Sequence, residues 1–199
     1  KREGIGTRLP AFAGLSLIVL LVFYLVYRDV KRYRPALGSD TKKITLLASL
    51  LVITIVVSLV LRSIFVLLAE SYQLGTITVG FALPVAAGAM LVSLLLDFHL
   101  ALVFSFLASL LMGIVFNGDP FIPFYYFMGS ITAALYVIRC KKRTVVIRAA
   151  AMNAVMNVAA IMSIDLYRGT LLGRWPFDLG AGLLGAVMTA SFVSLTLPF

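Results

Sequence analysis

The chain has 199 residues, 62% of them apolar and only 13% charged, against roughly 45–50% and 25% in a soluble domain. A water-soluble globule of this size cannot hide that much apolar surface, and disorder needs low hydrophobicity with high charge, so both classes are excluded. The formal charge of +9, from 17 basic against 8 acidic residues, then points to cationic loops facing an anionic leaflet rather than to nucleic acid.

Predominantly apolar runs long enough to cross about 30 Å of hydrocarbon as helices need roughly 17–25 residues. Seven occur, at about 9–27, 44–69, 76–96, 100–116, 121–138, 147–164 and 179–199. They are continuous, whereas membrane β-strands alternate apolar and polar over about ten residues, so the expected fold is an all-α integral membrane protein. The first run follows Lys1, Arg2 and Arg8. It is too long for a signal peptide, and a basic segment rather than an Ala-x-Ala-like site comes after it. Within the third run Pro84 removes a helical hydrogen bond and predicts a kink, beside Gly80 and Gly88. Asp97 and His99 make a tight turn before the fourth run, and Asn117-Gly118-Asp119-Pro120 a tight loop after it.

Small residues mark where helices approach closely in lipid. Gly129 with Ala133 and Ser130 with Ala134 do so on the fifth run, and Gly180, Gly182, Gly185 and Ala186 on the seventh. Asn153 and Asn157, four apart, share one face of the sixth run. Amides at that depth hold neighbouring helices together or line a ligand cavity. The candidate packing or signalling positions are therefore Pro84, Gly88, Asp97, Gly129, Asn153, Asn157, Gly182 and Gly185. Tight intramolecular packing is the main reading of the glycine faces, and a homodimer face the other.

Orientation follows the distribution of lysine and arginine. Eleven of them fall in the first and fifth connections and at the adjoining helix ends: Arg28, Lys31, Arg32, Arg34, Lys42, Lys43, Arg139, Lys141, Lys142, Arg143 and Arg148. Six lie on the opposite side, namely Lys1, Arg2, Arg8, Arg62, Arg168 and Arg174. With the acidic residues included, net charge is about +8 on one side and +1 on the other, so the amino end is expected outside and the carboxyl end in the cytoplasm. Tyr72, Tyr125, Tyr126, Tyr167 and Trp175 fall near outer ends, and Tyr24, Tyr27, Tyr33 and Tyr136 near inner ones, as interfacial anchors.

Catalytic chemistry is sparse. Cys140 and His99 are the only residues of their kinds, so neither an internal disulfide nor a thiolate or histidine metal cluster is expected. No phosphate-cradling loop, nucleophile elbow or metalloprotease helix is present. A retinal-binding lysine is absent from the last run. Arg62 and Arg148 sit near span ends, where they can snorkel. No catalytic, cofactor or metal residue is assigned.

Leu83-Pro84-Val85-Ala86, Met90-Leu91, Leu95-Leu96-Asp97 and Leu100-Ala101 resemble the third and fourth spans of a known family. Gly129-Ser130, the basic Arg139-Cys140-Lys141-Lys142-Arg143 loop, Arg148-Ala149-Ala150, Asn157, Gly185 and Leu197-Pro198-Phe199 continue the likeness. The chain is similar to the membrane region of bacterial seven-transmembrane receptors fused to an HD hydrolase, the cyclic-di-AMP phosphodiesterases of the PgpH type. The likeness spans the seven runs and is strongest over the last 120 residues or so. His99 departs from it, standing where a Pro-Arg-type turn would follow the aspartate.

The resemblance implies a single seven-span domain over residues 1–199, placed between an extracellular domain and a cytoplasmic HD domain that are absent from this chain. The start at Lys1 and the end at Phe199, directly after an apolar run, agree with a segment of a longer protein. Its role would be sensing, signal transmission and anchoring in the bacterial inner (cytoplasmic) membrane, as a multi-pass component. The enzymatic step would belong to the HD domain, whose two-metal centre is the only cofactor implied. Expected partners are membrane lipids, the attached domains and a second copy of the chain. A different class of reading is a small-solute-binding membrane component of a transporter, which would need a closed, ligand-sized cavity near Asn153, Asn157 or the Asn117–Pro120 loop.

Overall fold

The computed structural model describes residues 41–71, 75–116, 118–138, 143–169 and 175–196. Among them are seven helices: α1 Thr41–Ser71, α2 Thr76–Phe81, α3 Ala86–Leu95, α4 Phe98–Val115, α5 Phe121–Val137, α6 Arg143–Arg168 and α7 Trp175–Thr196. The chain divides into two compact units. Of the first, Lys1–Leu46, the described residues are the opening turns of α1. The second, Leu47–Phe199, carries the core. The first expected span, 9–27, and the tyrosines near it lie outside the described residues.

The remaining expected spans fall on helices. Lys43–Leu67, Ile77–Leu95, Phe98–Val115, Thr144–Arg168 and Trp175–Thr196 are long and apolar enough to cross a membrane, and Phe121–Val137 is shorter, at 17 residues. At 1.5 Å per residue that shorter helix still covers about 25 Å. Helix α6 begins earlier than its apolar run, at Arg143. A helix already packed on its neighbours extends into the interface at little cost, carrying basic side chains out of the hydrocarbon. Helix α7 opens Trp175-Pro176, where a proline's missing N–H is harmless, and Asp178 faces the positive end of the helix dipole in the first turn.

The third expected span lies at the centre. Every residue from Thr78 to Val92 is buried, as an apolar helix surrounded by others must be. Helix α3 packs against α4, α5 and α7, while α5 also packs against α4 and α6, α6 against α7, and α2 against α7. Towards the α3–α4 turn the core is apolar: Ala86, Ala87, Met90, Leu91, Ala133, Val137, Val146, Ala149 and Val193 form one cluster. Helix α1 buries Leu47, Leu51 and Ser58 along one face and exposes Val52, Ile53, Val56, Val60 and Leu67 on others, a surface suited to lipid.

An aspartate side chain accepts a backbone N–H at the start of both α4 and α5. Asp97 Oδ1 accepts from Phe98 N at 2.8 Å and starts α4. Asp119 Oδ1 accepts from Phe121 N at 3.0 Å and starts α5. Gly118 and Gly169 carry φ of +76° and +67°, left-handed conformations that glycine adopts freely.

Two expectations are corrected. Pro84 does not kink a continuous helix; the span is broken into α2 and α3, with Ala82–Val85 between them. Tyr125 and Tyr126 are not interfacial anchors, because both are about 3% exposed. The break supplies the reason, since it leaves carbonyls that need donors from within the protein. Tyr167 and Trp175 are exposed, as anchors should be.

Candidate functional site

In an unbroken helix the Gly80 carbonyl would accept from the N–H of residue 84, but proline has none, and Gly80 O accepts from Leu83 N at 3.2 Å instead. The Phe81 carbonyl would accept from Val85 N, which instead donates to Leu83 O at 3.0 Å. Both residues lie in the protein interior, and Phe81 O is left without a backbone donor, which in hydrocarbon would cost several kcal/mol if nothing else met it. Helix α5 meets the need: the Tyr126 hydroxyl donates to Gly80 O, and the Tyr125 hydroxyl to Phe81 O at 2.9 Å. Adjacent positions on a helix point about 100° apart, yet both hydroxyls reach adjacent carbonyls at the end of α2. Their rings pack at 5.2 Å between centroids, and Phe81 lies 4.9 Å from Tyr125.

Helix α7 closes the other side. A Cβ on Gly185 would stand 2.7 Å from Phe81 O and 3.2 Å from Ala82 C, both backbone atoms that cannot rotate away. Glycine is therefore required for α7 to seat on the break. One turn earlier, the Gly182 carbonyl accepts from Asn157 Nδ2 at 3.1 Å, which ties α6 to α7. A Cβ on Gly129 would lie 2.8 Å from Asn157 Oδ1 and 3.0 Å from Asn153 Oδ1, so both amide oxygens converge on the bare face of α5. Thr189 Oγ1 donates to Gly185 O at 2.8 Å. These groups line a cavity of about 10 Å³, space for about one water molecule. Two side-chain atoms there, Ser130 Oγ and Asn153 Oδ1, are buried without a hydrogen-bond partner, a cost of about 1–3 kcal/mol each if nothing else met them.

The break, the tyrosine pair, the amides and Gly185 thus form one polar seam between α2–α3, α5, α6 and α7. Of the positions singled out from sequence, the structure brings together Pro84, Gly129, Asn153, Asn157, Gly182 and Gly185. Gly88 lies elsewhere, where an added Cβ would collide with Thr54 Oγ1 and the Phe104 ring. Asp97 caps α4 at a turn, with His99 Nδ1 3.8 Å from its Oδ2. Among the described residues no group of three or more His, Cys, Asp or Glu side chains is placed to hold a metal.

Several contributors were not singled out. Tyr125 and Tyr126 looked like anchors by position. A helix-breaking proline facing a tyrosine pair on another span is the signal that could have found them. Arg62 does not simply snorkel, since its guanidinium sits 4.8 Å over the Phe116 ring, a cation–π arrangement. The loop before α5 is more than a tight turn. Arg168 Nη2 meets Asp119 Oδ2 at 2.5 Å, with the guanidinium 5.0 Å over Phe121 and Phe121 5.0 Å from Tyr167. One aspartate therefore caps α5 and pairs with the end of α6.

A family model described as "7TM receptor with intracellular HD hydrolase" matches residues 9–199, almost the whole chain. The chain belongs to this family of seven-transmembrane HD-hydrolase receptors. No curated protein and no solved structure gives a significant match. The described helices form a multi-pass membrane domain, and the seam gathers the buried polar residues Ser130, Asn153, Asn157 and Thr189. Neutral hydroxyls, amides and freed carbonyls suit it to hydrogen bonding and to holding helices in register.

Proposed function

We propose that the chain is the sensor, signal-transmission and anchoring domain of a membrane-bound HD-domain phosphohydrolase resembling those that hydrolyse cyclic-di-AMP. In this reading seven spans cross the bacterial cytoplasmic membrane, with the amino end outside and the carboxyl end inside. An extracellular domain precedes them, and a cytoplasmic HD domain with a two-metal centre follows them. Family membership supports the coarse role, and the charge distribution supports the orientation.

The observation that carries the transmission mechanism is the seat of Gly185 on the broken span. Helix α7 is the last described element, and its backbone rests on the carbonyls of the break. A ligand event that shifts α2 or α3 cannot leave α7 where it was. A coupling of only about 1.4 kcal/mol between two arrangements changes their ratio tenfold. The cavity in the seam is water-sized, and this weighs against the transporter-component reading for that region.

The test uses the intact membrane enzyme. Gly185→Leu and Gly182→Leu are expected to change basal or ligand-regulated hydrolysis of cyclic-di-AMP severalfold, with the protein still inserted in the membrane. Unchanged rates in both variants would remove the seam from the signalling path. Replacing the spans by an unrelated anchor separates transmission from tethering, because a pure tether leaves regulation intact.

A further inference from the structure

We propose that the seam binds one ordered water molecule, held between Asn153 Oδ1 on α6 and the Ser130 hydroxyl on α5. Both residues are about 1% exposed, and neither of these atoms has a hydrogen-bond partner within the protein, so the two are not bonded to each other. Both line the same cavity of about 10 Å³, which meets the space one water needs.

Ser130 behaves differently from several other hydroxyls in these helices. Ser105 donates back to Ala101 O at 2.7 Å, Thr132 to Met128 O at 2.8 Å, and Thr189 to Gly185 O at 2.8 Å. That i−4 bond is the default for a helical serine or threonine with no better partner. Ser130 does not make it, so its proton is available to the cavity. Several neighbouring donors are already engaged. Both tyrosine hydroxyls donate to the break, and Asn157 Nδ2 donates to Gly182 O. The two amide oxygens converge beside Gly129. A molecule that accepts one proton and donates two fits this set, and water is the smallest that does so. A cation does not fit, because no carboxylate lines the cavity and a desolvated charge there would go uncompensated. The water joins α5 and α6 through a shared, replaceable ligand in addition to their direct packing.

The chain has three asparagines, Asn117, Asn153 and Asn157, so asparagine-labelled protein in lipid bilayers gives few side-chain signals. Water-edited solid-state NMR reads the site directly, with Asn153→Ala assigning its resonance. The expected result is rapid transfer of magnetisation from water to the Asn153 side chain, although that residue is shielded from bulk solvent. Ser130→Val fills the cavity and is expected to abolish the transfer. Absence of transfer in the unmodified protein overturns the proposal, and so does transfer that persists in Ser130→Val. Should the valine variant not fold, Ser130→Ala and Asn153→Ala are combined in a thermal-unfolding cycle. Non-additive shifts in Tm support the shared water, and additive shifts overturn it.

Discussion

At the scale of single residues, the two tyrosines show how one covalent fact propagates. Proline at position 84 removes an N–H, and the freed Gly80 and Phe81 carbonyls are met by Tyr126 and Tyr125. Replacing either tyrosine by phenylalanine keeps the ring and removes only the donor. Tyr125→Phe is expected to lower stability by about 1–3 kcal/mol, the cost of a buried unmet carbonyl, and Tyr126→Phe by about 0.5–1.5 kcal/mol, because Gly80 O keeps its bond from Leu83 N. For a chain of this size that lowers Tm by about 2–4 °C per kcal/mol, read by thermal unfolding in detergent or nanodiscs. Tyr167, exposed at the end of α6, serves as control, and Tyr167→Phe should leave Tm nearly unchanged. A Tyr125→Phe shift no larger than the control's would show that the Phe81 carbonyl has another donor. Sequence position placed these tyrosines near a span end, which is also where anchors sit. Only the fold distinguishes the two roles, because the carbonyls they serve are more than forty residues away in the chain.

At the scale of elements, the helices were largely legible because hydropathy is a local property and a spanning helix must satisfy its backbone internally. What was not legible is the break, since proline in a span is compatible with a kink or an interruption, and neighbouring donors decide which. The seam was half legible: small residues and the two asparagines marked faces, but not the registers at which they meet. The Asp119–Arg168 pair escaped for a similar reason, its partners lying 49 residues apart, one in the loop before α5 and one at the end of α6. Helix α7 offers a clean comparison of two glycines. Gly185→Ala places a Cβ against the backbone of the break, whereas a Cβ at Gly180 meets nothing within 4 Å. The first substitution is expected to destabilise by about 1–3 kcal/mol. The second should be neutral or stabilise by about 0.4–1 kcal/mol, through reduced freedom of the unfolded chain. Equal Tm shifts for the two would contradict the close approach of α7 to the break.

At the scale of the whole molecule, orientation is the property most directly open to test. Cys140, the only cysteine, lies in the basic connection expected to face the cytoplasm. A membrane-impermeant maleimide should leave it unlabelled in intact cells and label it after permeabilisation. Thr170→Cys in a Cys140→Ser background should show the reverse, because position 170 falls in a connection of the opposite side. Labelling of Cys140 from outside would invert the topology and with it the direction of the proposed signal.

Glycine spacing on α7 also sets whether that helix can travel. Moving a helix along its axis by one turn, about 5.4 Å, replaces the residue at a contact by one three or four positions away. Displacement of α7 towards its carboxyl end brings Gly182 near the break, and a bare Cα again faces the carbonyls. Displacement the other way brings up Thr189, whose side chain has no room there. The step towards the carboxyl end also puts Asp178 where Gly182 sits, and a Cβ there collides with Ile161 Cδ1, so the glycine spacing seats the helix in a single register.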